Sequence, residues 1–551
     1  MRLNSKFSTC ILPLLMTTTV LYRHWESPII LLAALFWIPG AGGDSFLSDD
    51  IGHLTAWGLP PFDQVWQWFY REDFGYYRPL TALLWKIEFA LWGLQPFGYQ
   101  LVNFVQHAAC SLLVRELGRL VFPGENRIGF LSALLFLFLP GHIFGVLMVS
   151  ALTGLFCALC YLAAIVFYLR GRAGNWSAQI LAPLFFLLAL LTKELALSLP
   201  ILVGIWEAAV QRSERRLTLA NWLRACWPYG LIILCYLLLR WTLFGQMPYS
   251  PLHANATPIR LLVNAAAYTA KCVVPWGLED LKPFFRTYSV LLALSAGAGL
   301  MLTVGLLVRW RHSLASGHFF SLTWFAATLL PVVSLYSPWN TYLPSIGAAL
   351  GLGALLDWTQ RRKTARIRQC CLAVFLILSL IYSLNHQRHW KQARQLCAEV
   401  IDSIADIPRP GTIYLANLPA EWGDAPLFIA DWALRGALHF QGRDRDVIAL
   451  ANIVKTQRNE QIETLRINEH RFSLRLLHPD EFFRLEEMEI LSGQRPLDIG
   501  YEYSKSGFKI RVTGLSKQGQ ANMLEVDMGS AERLSRVYLW NGHQFAPLFT
   551  P

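Results

Sequence analysis

The run RIGFLSALLFLFLPGHIFGVLMVSALTGLFCALCYLAAIVFYLRGR, residues 127–172, begins and ends in arginine and holds no Asp, Glu, Lys or Arg from 128 to 169. A bilayer core about 30 Å thick takes roughly 20 apolar residues as a helix. The run therefore reads as two spans, 128–147 and 150–169, joined by a turn without basic residues, and Arg127 and Arg170 share one side of the membrane. Cytoplasmic loops concentrate Lys and Arg, so that side is the inner one. On the same terms the whole chain holds about 11 spans, near 27–42, 98–117, 128–147, 150–169, 178–192, 195–210, 226–244, 288–308, 318–335, 342–357 and 369–385. With a cytoplasmic N-terminus, Arg119/Arg127, Arg170/Arg172, Arg212/Arg215/Arg216/Arg224, Arg309/Arg311 and Arg361/Arg362/Lys363/Arg366/Arg368 all fall inside. The connections near 141–149, 245–258 and 336–341 carry no Lys or Arg, and the turn near 193 carries only Lys193.

Composition agrees with this reading. Of 551 residues 54% are hydrophobic and 15% charged, against about 25% charged in soluble domains, which excludes a single soluble domain. The formal charge of +11 sits in short clusters between apolar runs, the pattern that orients a membrane protein, and nucleic acid is not expected as a partner. The ten cysteines form no disulfide framework, since nine lie in or beside apolar runs and none follows Cys397. Cys157 and Cys160 make a CxxC inside a span, which reads as packing rather than metal binding. P-loop, GxGxxG, GxSxG and HExxH signatures are absent from the sequence. Nothing in the sequence names a cofactor, and it leaves a divalent metal open.

Residues 259–276 are apolar enough to count as a span, but a span there would move Arg309 and Arg311 outside, so they read as interfacial or re-entrant. Residues 8–22 resemble a signal-peptide core without a small-residue cleavage site and are expected to stay uncleaved. The expected fold is an all-α polytopic membrane domain over 1–385 with a C-terminal extracytoplasmic α/β or β-rich domain over 386–551. The first outer loop, 43–97, contains PPFDQVWQWFYRED, whose Trp66, Trp68, Phe69 and Tyr70 suit the membrane-water interface as short flat helices. The tail holds strand-like runs, TIYLANLP, PLFIADWAL, FKIRVTGL, NMLEVDM and RVYLWNG, between polar turns.

Chemistry concentrates on the outer face. GGDSFLSDDIGHL, residues 42–54, places Asp44, Asp49, Asp50 and His53 directly after the first span. Partial burial raises a carboxylate's pKa and makes it a stronger base, whereas a solvated loop is the plainer alternative. Arg78 stands in a Tyr-Tyr-Arg-Pro turn and can hold an anion bidentately. Gln100, Asn103 and His107, at i, i+3 and i+7, share a helix face. They face either a cavity or another helix. Lys193 and Glu194 occupy an otherwise uncharged outer boundary, as a substrate site or a structural salt bridge. His142 ends the third span, and Arg240 ends the seventh, where it can also snorkel to headgroups. Acidic and basic groups gathered on one face, rather than at the midplane, suit a lipid-linked anionic substrate.

With these residues in view the chain resembles the GT-C glycosyltransferases, polytopic enzymes that use polyprenyl-phosphate sugars, and especially the protein O-mannosyltransferase and tetratricopeptide-linked branch. The matching residues are Asp49-Asp50, YRPLT at 77–81, GLQPFGYQLVNFVQHA at 93–108, LTKE at 191–194, LLLR at 237–240 and YLPSIG at 342–347. They occur in family order over roughly 27–385. The resemblance implies inverting transfer from a polyprenyl-phosphate sugar to an acceptor hydroxyl on the outer face. It makes Asp49, ahead of Asp50, the catalytic base and assigns Arg78 and Lys193, with Arg240, to the phosphate. Glu194, Asn103, His107 and His142 remain substrate-site candidates. The implied partners are the donor, the lipid bilayer and an acceptor protein, lipid or glycan.

The chain departs from the family where a Pro-x-His-x-Glu and Trp-Ile-Ser-Gly-Arg pattern has Phe144, Met148 and Leu152, and where Glu-Arg before Tyr-Leu-Pro is replaced by Pro338 and Trp339. No tetratricopeptide pattern follows the last span. A non-catalytic membrane-anchored assembly protein and a transporter or flippase of lipid-linked glycans are the competing functions. Few glycosylation sequons point to a bacterial inner membrane, with the C-terminal domain periplasmic. Reporter fusions after residues 172 and 311 should report the inner side and a fusion after residue 341 the outer side. An outer signal after residue 172 would refute the topology.

Overall fold

The computed structural model describes residues 25–43, 45–71, 76–213, 218–245, 257–274, 316–334, 336–360, 365–408, 410–423, 425–428, 431–455, 462–478, 482–485, 498–516 and 519–549. The expected span at 288–308 and the apolar run at 8–22 lie outside the described residues.

The helices are α1 (Trp25–Gly40), α2 (Asp49–His53), α3 (Pro79–Trp92), α4 (Pro96–Val121), α5 (Asn126–Leu137), α6 (Ile143–Leu147), α7 (Leu152–Arg172) and α8 (Trp176–Thr192). They continue as α9 (Leu199–Ser213), α10 (Leu219–Phe244), α11 (Pro258–Val273), α12 (Ser316–Leu329), α13 (Tyr342–Gln360) and α14 (Ala365–Ala405). Among the described residues four helical stretches are long and apolar enough to cross a bilayer: Val149–Arg172, Glu194–Gln211, Leu219–Phe244 and Gln369–Ala405. The third expected span is a pair, Arg127–Leu137 and Pro140–Leu147, bent by 52°. Pro140 explains the break, because it has no N–H to donate and disfavours a helical residue before it. The first expected span falls on the apolar helix Trp25–Gly40, which tightens to a 3₁₀ turn over Leu35–Gly40 around Pro39. The segment read as interfacial is α11, 16 residues long, with Asn264 donating to Val333 O at 2.8 Å.

In the first outer loop a 3₁₀ stretch, Phe62–Phe69, precedes α3. Of its aromatics Trp66 and Tyr70 are exposed, but Trp68 is buried. Trp68 is thus core rather than interface.

No break falls at the expected boundary between 385 and 386. α14 runs 41 residues straight through it. Past the apolar run, Trp390, Ala393, Cys397, Val400 and Ile404 are buried at spacings of three and four, an amphipathic stripe that carries the helix into the C-terminal domain.

That domain is strand-rich. One sheet has the order β13-β12-β1-β4, with β1 (Ile413–Leu415) parallel to both β12 (Val537–Trp540) and β4 (Val447–Ala449), and β13 (Phe545–Pro547) antiparallel to β12. A second, β3-β2-β5-β8, pairs β2 (Leu418–Trp422) parallel with β5 (Asn452–Lys455) between β3 (Ala425–Pro426) and β8 (Phe482–Arg484). The third is antiparallel, β6-β7-β11-β10-β9, built from β6 (Ile462–Arg466), β7 (Arg471–Leu476), β9 (Glu502–Lys505), β10 (Phe508–Leu515) and β11 (Ala521–Asp527). The run PLFIADWAL, read as a strand, turns helical at Asp431 and opens α15 (Asp431–Phe440). Asp431 Oδ1 accepts from Ala449 N at 3.1 Å.

One apolar core runs from Trp37 and Tyr161 in the bundle through Trp390 and Val400 to Leu427 and Leu434 of the C-terminal domain. Within the bundle α4 and α5 cross backbone to backbone: a Cβ added at Gly129 would lie 2.4 Å from Arg115 O. Gly129→Val should therefore cost ~1–3 kcal/mol, read as a lower midpoint of thermal unfolding in detergent, and an unchanged midpoint would contradict this crossing.

Candidate active site

The loop that leaves α1 cannot use helical hydrogen bonds. Gly42 and Gly43 take φ of +133° and +100°, and Ser48, with φ +46°, is one of two non-glycine residues with positive φ among the described residues. Such backbone persists only where its surroundings over-determine it. Here Ser48 N donates to Leu427 O of the C-terminal domain at 2.9 Å. A Cβ at Gly52 would lie 2.6 Å from Trp432 Cζ3, and one at Gly436 2.8 Å from Ile51 Cγ2. α15 of the C-terminal domain thus lies flush on α2.

The two adjacent aspartates have different environments. Asp50 is 1% exposed. Its Oδ2 accepts from Leu47 N at 3.2 Å and its Oδ1 from Ser150 N at 2.7 Å. Burial raises its pKa, while the Ser150 and Leu47 hydrogen bonds and the Arg394 charge pull the other way. Asp49 is half-buried and accepts no hydrogen bond from the described residues. Burial first, and the Asp50 charge second, push its carboxyl up to about 6. Asp50 braces two loops, because both its oxygens accept from backbone amides. Asp44 lies outside the described residues.

Arg78 bears on His53 at the end of α2 and on Lys193. Arg78 precedes α3, whose first turn is tied down by Thr81 Oγ1 donating to Thr192 O at 3.0 Å. Its guanidinium lies 4.0 Å over the Tyr76 ring. It meets the Glu194 carboxylate through two hydrogen bonds, Nε to Oε2 at 3.1 Å and Nη2 to Oε1. Glu194 is therefore the counter-ion of Arg78. Lys193 Nζ donates to Asn340 Oδ1 at 3.2 Å. Burial, then the Arg78 charge, push its ammonium down to about 8, with Glu194 pulling it back. His53, at the end of α2, stacks on Trp57 at 4.6 Å, and burial together with the Arg78 charge holds it neutral, down to about 3. Arg240 is buried rather than snorkelled, over Phe244 at 5.7 Å, and Tyr77 packs against both Tyr236 and Phe244.

The polar face of α4 turns out to be a packing seam. Gln100 Oε1 accepts from Gly42 N at 3.1 Å, and Asn103 Nδ2 donates to Met148 O at 2.8 Å. His107 Nδ1 meets Tyr342 Oη at 2.7 Å and His142 Nε2 meets Ser345 Oγ at 2.8 Å. Asn103, His107 and His142 are all buried. Asn103 ties α4 to the end of α6, and His107 and His142 tie α4 and the residue before α6 to the first turn of α13.

Two site elements escaped the sequence. Ser150 enters through its backbone N–H, which no side-chain pattern reveals. Arg394 is 1% exposed and donates to Gly40 O, Gly42 O and Leu147 O. Its place in the heptad-like stripe of α14 was a readable sign of burial.

No protein-family model matches the chain. Curated relatives do. The Drosophila melanogaster protein O-mannosyl-transferase Tmtc1 is 32% identical over 153 residues, 27% of this chain and 17% of the relative. The Homo sapiens protein O-mannosyl-transferase TMTC3 is 27% identical over 138 residues, 24% of this chain and 15% of the relative. The chain is similar to protein O-mannosyl-transferases. The matched stretches cover less than a fifth of these relatives' lengths. Among solved structures, ArnT from Cupriavidus metallidurans bound to undecaprenyl phosphate overlaps 77% of this chain and 89% of its own at 14% identity and TM-score 0.42. The Archaeoglobus fulgidus oligosaccharyltransferase tethered to an acceptor peptide overlaps 78% and 64% at 12% identity and TM-score 0.42. Both overlaps are loose.

The unequal roles of the aspartates have a stability signature. Asp50→Ala leaves the amides of Leu47 and Ser150 without their acceptor, and unsatisfied buried donors cost about 1–3 kcal/mol each. Thermal unfolding in detergent should fall clearly for Asp50→Ala and little for Asp49→Ala; equal falls would remove the distinction.

Proposed function

We propose that this membrane protein is a glycosyltransferase that moves a sugar from a polyprenyl phosphate to an acceptor hydroxyl on the outer face, with inversion. The observation that carries the reading is Asp49, half-buried with no hydrogen-bond donor among the described residues, on the short helix α2 whose last residue, His53, feels the charge of Arg78, which in turn bears on the buried Lys193. Similarity to protein O-mannosyl-transferases supports it independently.

In this reading Asp49 takes the proton of the acceptor hydroxyl as that oxygen bonds to sugar C1. The bond from C1 to the phosphate oxygen breaks, and the departing lipid phosphate keeps the electron pair. A base with pKa near 6 is ionised at neutral pH yet basic enough to accept a proton in the transition state. Lys193, Arg240 and Arg78 stabilise the phosphate charge as it develops, which is worth most where water is excluded. Arg78 reaches the phosphate by sharing or exchanging its Glu194 partner. Acceptor protein, lipid or glycan approaches from the side of the outer domain, periplasmic if the membrane is a bacterial inner membrane.

Membranes carrying the wild type should release label from a panel of radiolabelled polyprenyl-phosphate monosaccharides, and Asp49→Asn should lower that rate at least 100-fold at equal expression. No release from any donor, or release unchanged in Asp49→Asn, sinks the proposal. The base must be ionised, so the rate should fall as pH drops through about 6, the value to which burial and Asp50 push Asp49. Asp50→Asn removes the second of these causes, so the acidic limb should move to lower pH. A limb that stays in place in Asp50→Asn, or moves up, assigns the titration to another group.

A further inference from the structure

We propose that Arg394 is a positioning residue for Asp49, locking the outer loop that carries the base against the bend between α6 and α7; this rests on the transfer reaction proposed above.

The loop between α1 and α2 has few internal supports. α2 is five residues long, and with Gly42 and Gly43 at positive φ the carbonyls of Gly40 and Gly42 have no helical or strand partner among the described residues. Arg394 Nη1 donates to Gly40 O at 3.1 Å and to Gly42 O at 3.2 Å, and Nη2 donates to Leu147 O at 2.6 Å. Leu147 ends α6, where the last carbonyls of a helix lack intrahelical donors. Three residues on, Ser150 N reaches Asp50 Oδ1 at 2.7 Å. The contacts close a ring: loop to Arg394, Arg394 to Leu147, the 147–150 bend to Asp50, and Asp50 back to the loop beside Asp49. The fit is tight, since a Cβ at Gly43 would lie 2.6 Å from Arg394 Cβ. The guanidinium's rigid fork is what lets one side chain serve carbonyls of two segments; a lysine ammonium on its flexible stem holds them less firmly.

Arg394 touches neither the Asp49 carboxylate nor the cation cluster through any of these bonds, so its effect falls on where the base sits rather than on donor binding. A displacement of about 1 Å at a reacting group costs on the order of 100-fold in rate.

The test is initial release of label from a radiolabelled undecaprenyl-phosphate monosaccharide by the full chain in membranes, comparing wild type, Arg394→Lys, Arg394→Gln and Asp49→Asn per folded protein. Arg394→Gln should lower kcat at least 30-fold with donor KM within threefold, and Arg394→Lys should recover part of the rate. An Arg394→Gln kcat within threefold of wild type, or a loss carried by donor KM, overturns the inference while leaving an Asp49-dependent reaction standing. Should Arg394→Gln fail to fold, Arg394→Lys decides: a wild-type kcat overturns the proposal, and a kcat lowered at least fivefold at unchanged KM supports it. Wild type that releases label from no donor refutes the transfer reaction and this inference together.

Discussion

The architecture around the site depends on keeping Asp50 satisfied inside the protein. A carboxyl withdrawn from water must be met by donors, and those donors are backbone amides of Leu47 and Ser150, the latter one hundred residues away along the chain. That single requirement brings the first outer loop onto the α6–α7 bend. Once they meet, the carbonyls left over at Gly40, Gly42 and Leu147 converge on Arg394, which arrives from the other end of the membrane domain. The C-terminal domain adds Leu427 and Trp432 from the remaining side.

The cation cluster is organised by a different rule. Buried charges are costly unless paired and hydrogen-bonded, and Arg78 and Glu194 pair bidentately. Lys193 has only the amide oxygen of Asn340 within bonding reach among the described residues, and burial loosens its proton. Such a site gains from an anion placed among its cations, which is the role the proposed reaction gives to the lipid phosphate.

Much of this was legible from residue order. Apolar runs and arginine placement led to a membrane protein, and strand-like runs led to β10, β11 and β12. Other elements were not. The junction at 385–386 looked like a domain boundary because hydropathy falls there, yet a stripe of Trp390, Ala393, Cys397, Val400 and Ile404 continues the helix. Gln100, Asn103 and His107 were correctly put on one face, but a helical spacing says only that they face the same way. Whether they meet a substrate or the Gly42 amide, the Met148 carbonyl and the Tyr342 hydroxyl depends on what packs opposite.

The sequence by itself determined that the chain has long apolar helices, that Asp49 and Asp50 follow the first of them and that Arg78, Lys193 and Arg240 cluster on the proposed outer face. These follow from local hydropathy and from the position of charge along the chain. Only the tertiary structure decided that Asp50 braces two loops while Asp49 accepts no hydrogen bond from the described residues, that Arg78 is held by Glu194, and that Arg394 belongs to the loop. Each of those is settled by which buried donor meets which acceptor across long separations in the chain, and neighbours in sequence carry no record of it.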